Sequence, residues 1–313
     1  MEQQDILSMT LPELQAAVQE LGEPKFRAKQ IFNWLHQKRV TDFSEMTTLS
    51  LPFRERLASD FCINRLKIAK RLASSVDDTV KYLYELPDGN YVETVCMQYH
   101  HGTSLCISTQ VGCRMGCRFC ASAIAGFVRN LTPAEMLLQI YETERAQNCK
   151  ISSLVLMGIG EPLDNFDNVL RFLQLLSDPN GYGMSLRHVT VSTCGVVPKI
   201  LELAEQRLGL TLSVSLHCPN DAGRSAIMPI NRSYPIDVLL DACQTYFEKT
   251  GRRVTFEYAV MDQVNSAEQD AAALAERLKG LHAHVNLIPI NPVKERNFHT
   301  LKKTVLQFQK TLE

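Results

Sequence analysis

The spacing of hydrophobic positions changes twice along the chain. From Thr10 to about Ser59 it is the three-to-four-residue spacing of amphipathic helices. Thr10, Pro12 and Glu13 predict a capping box that opens a first helix, and Gly22 ends it. After Pro24 a second helix is predicted through Phe26, Ile31, Trp34 and Leu35, with Lys25, Arg27, Lys29 and Lys38 on its other face. Between Thr79 and Met97 the spacing drops to two on both sides of Pro87-Asp88-Gly89-Asn90, which predicts a β-hairpin. From Ser104 onward, β-branched runs near 104–110, 152–158, 188–194, 210–217, 253–260 and 284–290 alternate with helical segments. A second capping box is predicted at Thr132, Pro133 and Glu135. Six strand-helix repeats predict parallel strands with chemistry at their C-terminal ends. The expected fold class is α/β: a helical domain at 1–75, a linking hairpin at 76–100 and a partial (β/α)6 barrel at 101–313.

Composition adds limits. A chain of 313 residues, 45% hydrophobic and 21% charged, can bury one large core and a smaller one. The opening carries Glu2 and Asp5 without a basic leader, and no apolar run is long enough to span a membrane, so the expectation is a cytoplasmic protein. A net charge of −1 argues against coating nucleic acid by bulk electrostatics; any such contact needs local patches. Lys25, Arg27, Lys29 and Lys38, with Arg54, Arg56, Arg65, Lys67, Lys70 and Arg71, could form one, or could be an ordinary solvated surface.

Ten cysteines change the picture more, because a reducing compartment does not sustain structural disulfides. Cys62, Cys96, Cys106, Cys149, Cys194, Cys218 and Cys243 are scattered and read as small buried hydrophobes. Cys113, Cys117 and Cys120 are different: they fall within eight residues, follow the first barrel strand and are flanked by Gly112 and Gly116. A [4Fe-4S] cluster normally takes four cysteines, and three leave one iron open. An open iron can chelate the amino and carboxylate groups of S-adenosylmethionine and pass it one electron, yielding a 5′-deoxyadenosyl radical. The competing readings are a zinc site completed by Cys106 or a histidine, and cysteines packed along a helix face. Gly160 and Glu161 end the second strand, suited either to a ligand ammonium or to a simple helix-starting turn. Ser192 closes the third strand and Ser215, Leu216 and His217 close the fourth; a lone histidine there serves ligand contact or structure.

The stretch Leu105-Cys106-Ile107-Ser108-Thr109-Gln110-Val111-Gly112-Cys113 through Cys120-Ala121-Ser122 resembles the RlmN/Cfr family of radical S-adenosylmethionine RNA methyltransferases. So do Gly158-Ile159-Gly160-Glu161-Pro162, Val191 to Gly195, Ser215 to Asn220 and Ile288 to Pro292. The resemblance implies a [4Fe-4S] cluster on Cys113, Cys117 and Cys120 and S-adenosylmethionine held by Gly160, Glu161, Ser192, Ser215, Leu216, His217 and Asn291. Glu93, by itself an exposed strand-face residue, becomes the proton acceptor, a role that suits a partly desolvated carboxylate with a raised pKa. Cys106, by itself a packed thiol, becomes the residue that resolves a protein-RNA crosslink and ends in a disulfide. The implied substrates are adenosine C2 in the peptidyl-transferase region of 23S rRNA and in tRNA just 3′ of the anticodon, presented as a flipped or loop nucleotide. An external, flavodoxin-like one-electron donor is also implied, and since nothing in the sequence calls for an obligate partner, a monomer is expected. The family's methyl-carrying cysteine lies beyond the last helix; no cysteine follows Cys243, so the expectation is a sequence that stops short of that segment, leaving complete turnover in doubt. Competing functions are a Cfr-type C8 methyltransferase, a non-catalytic iron-sulfur RNA-binding protein and a zinc-dependent RNA-binding module.

Overall fold

Both predicted capping boxes form. Thr10 N–H and Oγ1 donate to Glu13 Oε2 at 2.8 Å. At the second box Glu135 N–H donates to Thr132 Oγ1 at 3.2 Å while Thr132 N–H donates to Glu135 Oε2 at 2.9 Å. Each box satisfies amide donors that a helix start leaves unpaired. The fold comes from a computed structural model in which residues 3–313 are described; Met1 and Glu2 of the acidic opening lie outside the described residues.

In chain order the strands begin with β1 (Gln4–Asp5), β2 (Phe61–Cys62), β3 (Lys67–Ala73), β4 (Val80–Glu85), β5 (Tyr91–Tyr99) and β6 (Gly102–Cys106). They continue with β7 (Gln110–Gly112), β8 (Phe127–Asn130), β9 (Ile151–Leu156), β10 (Val189–Thr193), β11 (Thr211–Ser215), β12 (Val254–Val260) and β13 (Ala283–Pro289). The helices are α1 (Leu11–Glu20), α2 (Phe26–Asn33), α3 (Leu51–Asp60), α4 (Pro133–Gln147) and α5 (Phe166–Ser177). After them come α6 (Val197–Glu205), α7 (Asp221–Ile227), α8 (Ile236–Thr250), α9 (Glu268–Leu278) and α10 (Lys302–Leu312). All six barrel strands expected from the sequence are present, as is the hairpin. Three strands lie within 1–75, expected to be a helical domain: β1 and β2 pair in parallel, and β3 pairs antiparallel with β4. Every residue of β3 is exposed, so it has no hydrophobic alternation to betray it.

The residues group into two compact units that do not follow the three linear segments. Among the described residues the first comprises 3–111, 130–158 and 165–188; the second comprises 112–129, 159–164 and 189–313. In the first, α1 and α2 bury Leu14, Val18, Ala28, Ile31 and Phe32. Strands β3, β4, β5 and β6 pair antiparallel in that order, and β9 adds parallel to β6. Alternation fixes the pleat: Val80, Tyr82 and Tyr84 of β4 are buried while the residues between them are partly exposed. In the second unit β10, β11, β12 and β13 pair in parallel, with Ser192 beside Ser213 and Ser215 beside Glu257. The three central residues of β11 and all but one residue of β12 are buried, as parallel strands covered on both faces require. Among the described residues no helix is long and apolar enough to cross a membrane.

Candidate active site

The loop after β7 is shaped by glycine. Gly112 has φ +72°, and a Cβ there would lie 1.7 Å from Gly126 O. Cys113 N–H donates to that same carbonyl at 2.9 Å, closing the loop at its base. Gly116 takes φ +70° between the first two cysteines, a conformation that glycine adopts without strain. Cys120 N–H donates to Cys117 O at 3.2 Å, and Arg114 pairs with Asp164 at 2.9 Å. Arg118 N–H donates to Ile227 O at 2.9 Å, which seats the loop on the end of α7. Met115, Cys117 and Phe119 pack against the apolar set Cys194, Cys218, Ile227, Met228, Ala259 and Met261.

Burial pushes the Cys113 thiol up to about 11, with Glu161, Cys120 and Asp164 adding to the rise and the Met115 amide opposing it. Cys117 is pushed up to about 12, by burial first and then by Cys120 and Cys113. The three thiols therefore sit within electrostatic reach of one another. Among the described residues no three His, Cys, Asp or Glu side chains converge as ligands of a single ion. A cubane cluster asks for less convergence, since each cysteine meets a different iron. Cys113 and Cys117, whose ionisation is opposed by burial and by neighbouring thiols, suit a positively charged iron core, which binds them as thiolates.

The strand ends of the second unit carry the cofactor candidates. Gly160 has φ +108°, a region side-chain-bearing residues rarely enter. Glu161 is 3% exposed; its Oε1 accepts from Leu163 N–H at 3.0 Å and its Oε2 from Cys194 N–H at 2.7 Å. Burial raises its pKa, and those amides oppose the rise. Ser192 and Ser215 are half-buried, and Leu216 is fully buried. His217 is buried with φ +57°; its Nδ1 accepts from Ala259 N–H at 2.9 Å, and Asn265 Nδ2 donates to its carbonyl at 2.6 Å. Burial and the nearby Arg224 charge push the imidazole down to about 3. The ring is thus neutral, and with Nδ1 accepting, the proton sits on Nε2. Phe119 of the cysteine loop meets it edge-on at 4.8 Å. Asn291 is exposed, two residues beyond β13.

The first unit holds the other two candidates together. Cys106 ends β6 opposite Val95, on the face of β5 that also carries Glu93. Burial pushes its thiol up to about 11; the Met157 amide opposes this and the Glu93 charge adds to it. Glu93, by itself expected to be an exposed strand-face residue, is half-exposed on β5. Its side chain is 43% exposed and lies 3.0 Å from Lys81 Nζ, an ion pair across β4 and β5. Two polar residues escaped the sequence reading. Glu257, buried on β12, accepts from Ser213 Oγ at 2.6 Å and Asn286 Nδ2 at 2.7 Å. Arg224 of α7 is completely buried. Neither has a spacing signal that sets it apart from an ordinary surface charge.

Residues 4–63 match the family described as Ribosomal RNA large subunit methyltransferase N-terminal domain, and residues 107–275 match the Radical SAM superfamily. The chain is 50% identical over 313 residues to a probable dual-specificity RNA methyltransferase RlmN of Lachnoclostridium phytofermentans, covering 99% of this chain and 87% of that protein. It is 49% identical to the protein of the same description from Alkaliphilus oremlandii, covering 100% and 91%. The crystal structure of a radical SAM methyltransferase from Sphaerobacter thermophilus superposes with a TM-score of 0.94 at 39% identity, over 99% of this chain and 92% of that one.

Proposed function

Because the chain belongs to the RlmN family of radical S-adenosylmethionine RNA methyltransferases, we propose that it methylates C2 of adenosine in 23S rRNA and in tRNA beside the anticodon. Members of this family use a [4Fe-4S] cluster and S-adenosylmethionine. The observation that carries the reading is the glycine-shaped loop bearing three mutually interacting thiols, seated beside the strand ends that carry Glu161 and His217. When bound, the cluster supplies the single electron that cleaves S-adenosylmethionine.

The chain's own residues divide the remaining work. Cys113, Cys117 and Cys120 hold the cluster. Gly160, Glu161, Ser192, Ser215, Leu216, His217 and Asn291 hold S-adenosylmethionine. Gly160 lets main chain approach the ligand, Glu161 places a carboxylate near the ammonium, and His217 offers Nε2–H as a donor from a ring fixed by Ala259. Glu93 accepts the proton lost from C2, and Cys106 attacks the sulfur of the family's methyl-carrying cysteine, so that a disulfide forms as the sulfur–carbon bond to the methylated product breaks. The N-terminal match to an rRNA methyltransferase domain supports RNA as the substrate, and the dual-specificity relatives support two RNAs. We read the protein as a cytoplasmic monomer supplied by an external, flavodoxin-like electron donor.

Mass-spectrometric mapping of 23S rRNA and tRNA from cells carrying and lacking the gene tests the proposal. Loss of 2-methyladenosine from both RNAs on deletion is expected. Loss from rRNA alone would restrict the substrate, and loss of 8-methyladenosine instead would move the reaction to the other ring position.

A further inference from the structure

Arg224 is the largest fully buried side chain of the described residues, and it has no carboxylate partner. Its Nε donates to Leu216 O at 3.1 Å, its Nη1 to Asn231 Oδ1 at 2.9 Å, and its Nη2 to Cys194 O at 2.7 Å and Ser215 O at 3.0 Å. Asp221, the acid on its own helix, instead accepts from Asn231 Nδ2 and Ile236 N–H through Oδ1. A buried cation whose hydrogen bonds all go to neutral acceptors, with Asp221 within electrostatic reach but not bonded to it, still costs several kcal/mol of lost hydration, which a buried methionine or leucine would not. Fastening a helix to a sheet does not require that charge. Something at this place uses either the positive charge or the planar fork of donors.

Two surroundings supply the use. The acceptor carbonyls lie just past β10 and at the end of β11, the strands that carry Ser192, Ser215, Leu216 and His217. One guanidinium thus ties both strand ends in register at the place proposed for S-adenosylmethionine. Cys194 links this tie to Glu161: its N–H serves the carboxylate and its C=O serves the guanidinium. The packing leaves no room for drift, since a Cβ on Gly195 would lie 3.2 Å from Arg224 Nη2. On its other side, the helix bearing Arg224 supports the cysteine loop through Ile227 O, and Cys117 packs against the apolar set that includes Cys194, whose carbonyl the guanidinium holds.

We propose that Arg224 is a positioning residue with two separable effects: its donor fork holds the β10 and β11 ends in the shape that binds S-adenosylmethionine, and its buried charge eases reduction of the cluster held by the neighbouring loop. The inference rests on the proposed cluster and cofactor site. A cluster ligated by three thiolates becomes more negative on gaining an electron, so a buried cation nearby stabilises the reduced form.

Lysine keeps the charge and loses the fork; glutamine loses the charge and most of the fork. Arg224→Lys and Arg224→Gln are compared with the unsubstituted protein after anaerobic reconstitution. Three quantities are read: iron and sulfide content, cluster midpoint potential by EPR-monitored redox titration, and equilibrium S-adenosylmethionine binding without reductant. For Arg224→Lys we expect a potential close to that of the unsubstituted protein and binding weakened about tenfold. For Arg224→Gln we expect the same weakening and a one-electron equilibrium shifted about tenfold toward the oxidised cluster, near 59 mV. Equal potentials in Arg224→Gln and the unsubstituted protein would overturn the charge effect, as would an Arg224→Lys potential shifted as far as that of glutamine. Unchanged affinity in both variants would overturn the positioning effect. Should Arg224→Gln fail to fold, Arg224→Lys alone decides by potential, affinity and amide hydrogen exchange: faster exchange confined to 194–196 and 215–218 is expected, and unchanged exchange there with unchanged affinity sinks the proposal. An unsubstituted protein that takes up neither cluster nor cofactor would instead overturn the proposed function.

Discussion

A thiol proposed to attack as a thiolate stands beside a carboxylate that opposes its ionisation. Cys106 is held up to about 11 by burial, with Glu93 adding to the rise, so at neutral pH almost all of it is protonated. Once Glu93 has taken a proton it no longer opposes the thiolate, and the proposed proton transfer from C2 therefore favours the attack that follows. Glu93→Gln mimics the protonated carboxylate. Alkylation of the Cys106 peptide, followed by mass spectrometry from pH 8 to 11, should show a midpoint below that of the unsubstituted protein and reaction roughly threefold faster at the low end. A midpoint that stays or rises would mean that the two groups do not sense each other. At this scale the sequence was most informative where chemistry is local. The spacing of Cys113, Cys117 and Cys120 and the strand-end place of Glu161 could be read directly. The Lys81 partner of Glu93 could not, because it depends on hairpin register, and neither could Arg224, which looks like a surface cation of a short polar helix until its burial is seen.

At the scale of elements, the cysteine loop depends on close approach of two glycines. Gly112→Ala would bring a Cβ against Gly126 O and force a side chain into positive φ. The variant should fold as a whole but retain only a small fraction of the iron and sulfide after reconstitution; full iron content would show that the loop can close another way. The flanking glycines were visible in the sequence, although the contact that requires Gly112 was not. Helix signals transferred well, since a capping box is written in four adjacent residues and forms at both predicted places. Strand β3 did not transfer. Lys67, Lys70 and Arg71 give it the charged look of a solvated surface, and its pairing with β4 supplies the only evidence of a strand. Charges on such an exposed strand also discourage unwanted pairing with another chain.

At the scale of the whole molecule, substrate binding has to arise from a surface rather than from net charge, which is −1. Lys25, Lys29 and Lys38 are exposed, and Lys29 and Lys38 line an open cavity of about 330 Å3 with Phe26, Gln30, Asn33, Trp34 and Thr48. Reversing all three charges should weaken tRNA binding at least tenfold and flatten the dependence of log K on log salt by about 2. Equal affinity and slope at two salt concentrations would leave them as a solvated face. The six-strand alternation made the fold class legible, whereas the division into two units was not, because it is spatial and the chain passes between the units five times. That interleaving has a consequence during synthesis. The thiol loop leaves the ribosome about 100 residues ahead of the helix that ends in Ile227, the residue its Arg118 amide needs. At ordinary elongation rates of about 5–20 residues per second, the three thiols wait on the order of 5–20 s without that support. The nascent chain thus carries the three thiols exposed for that interval, and the loop gains its α7 support only once α7 has been translated.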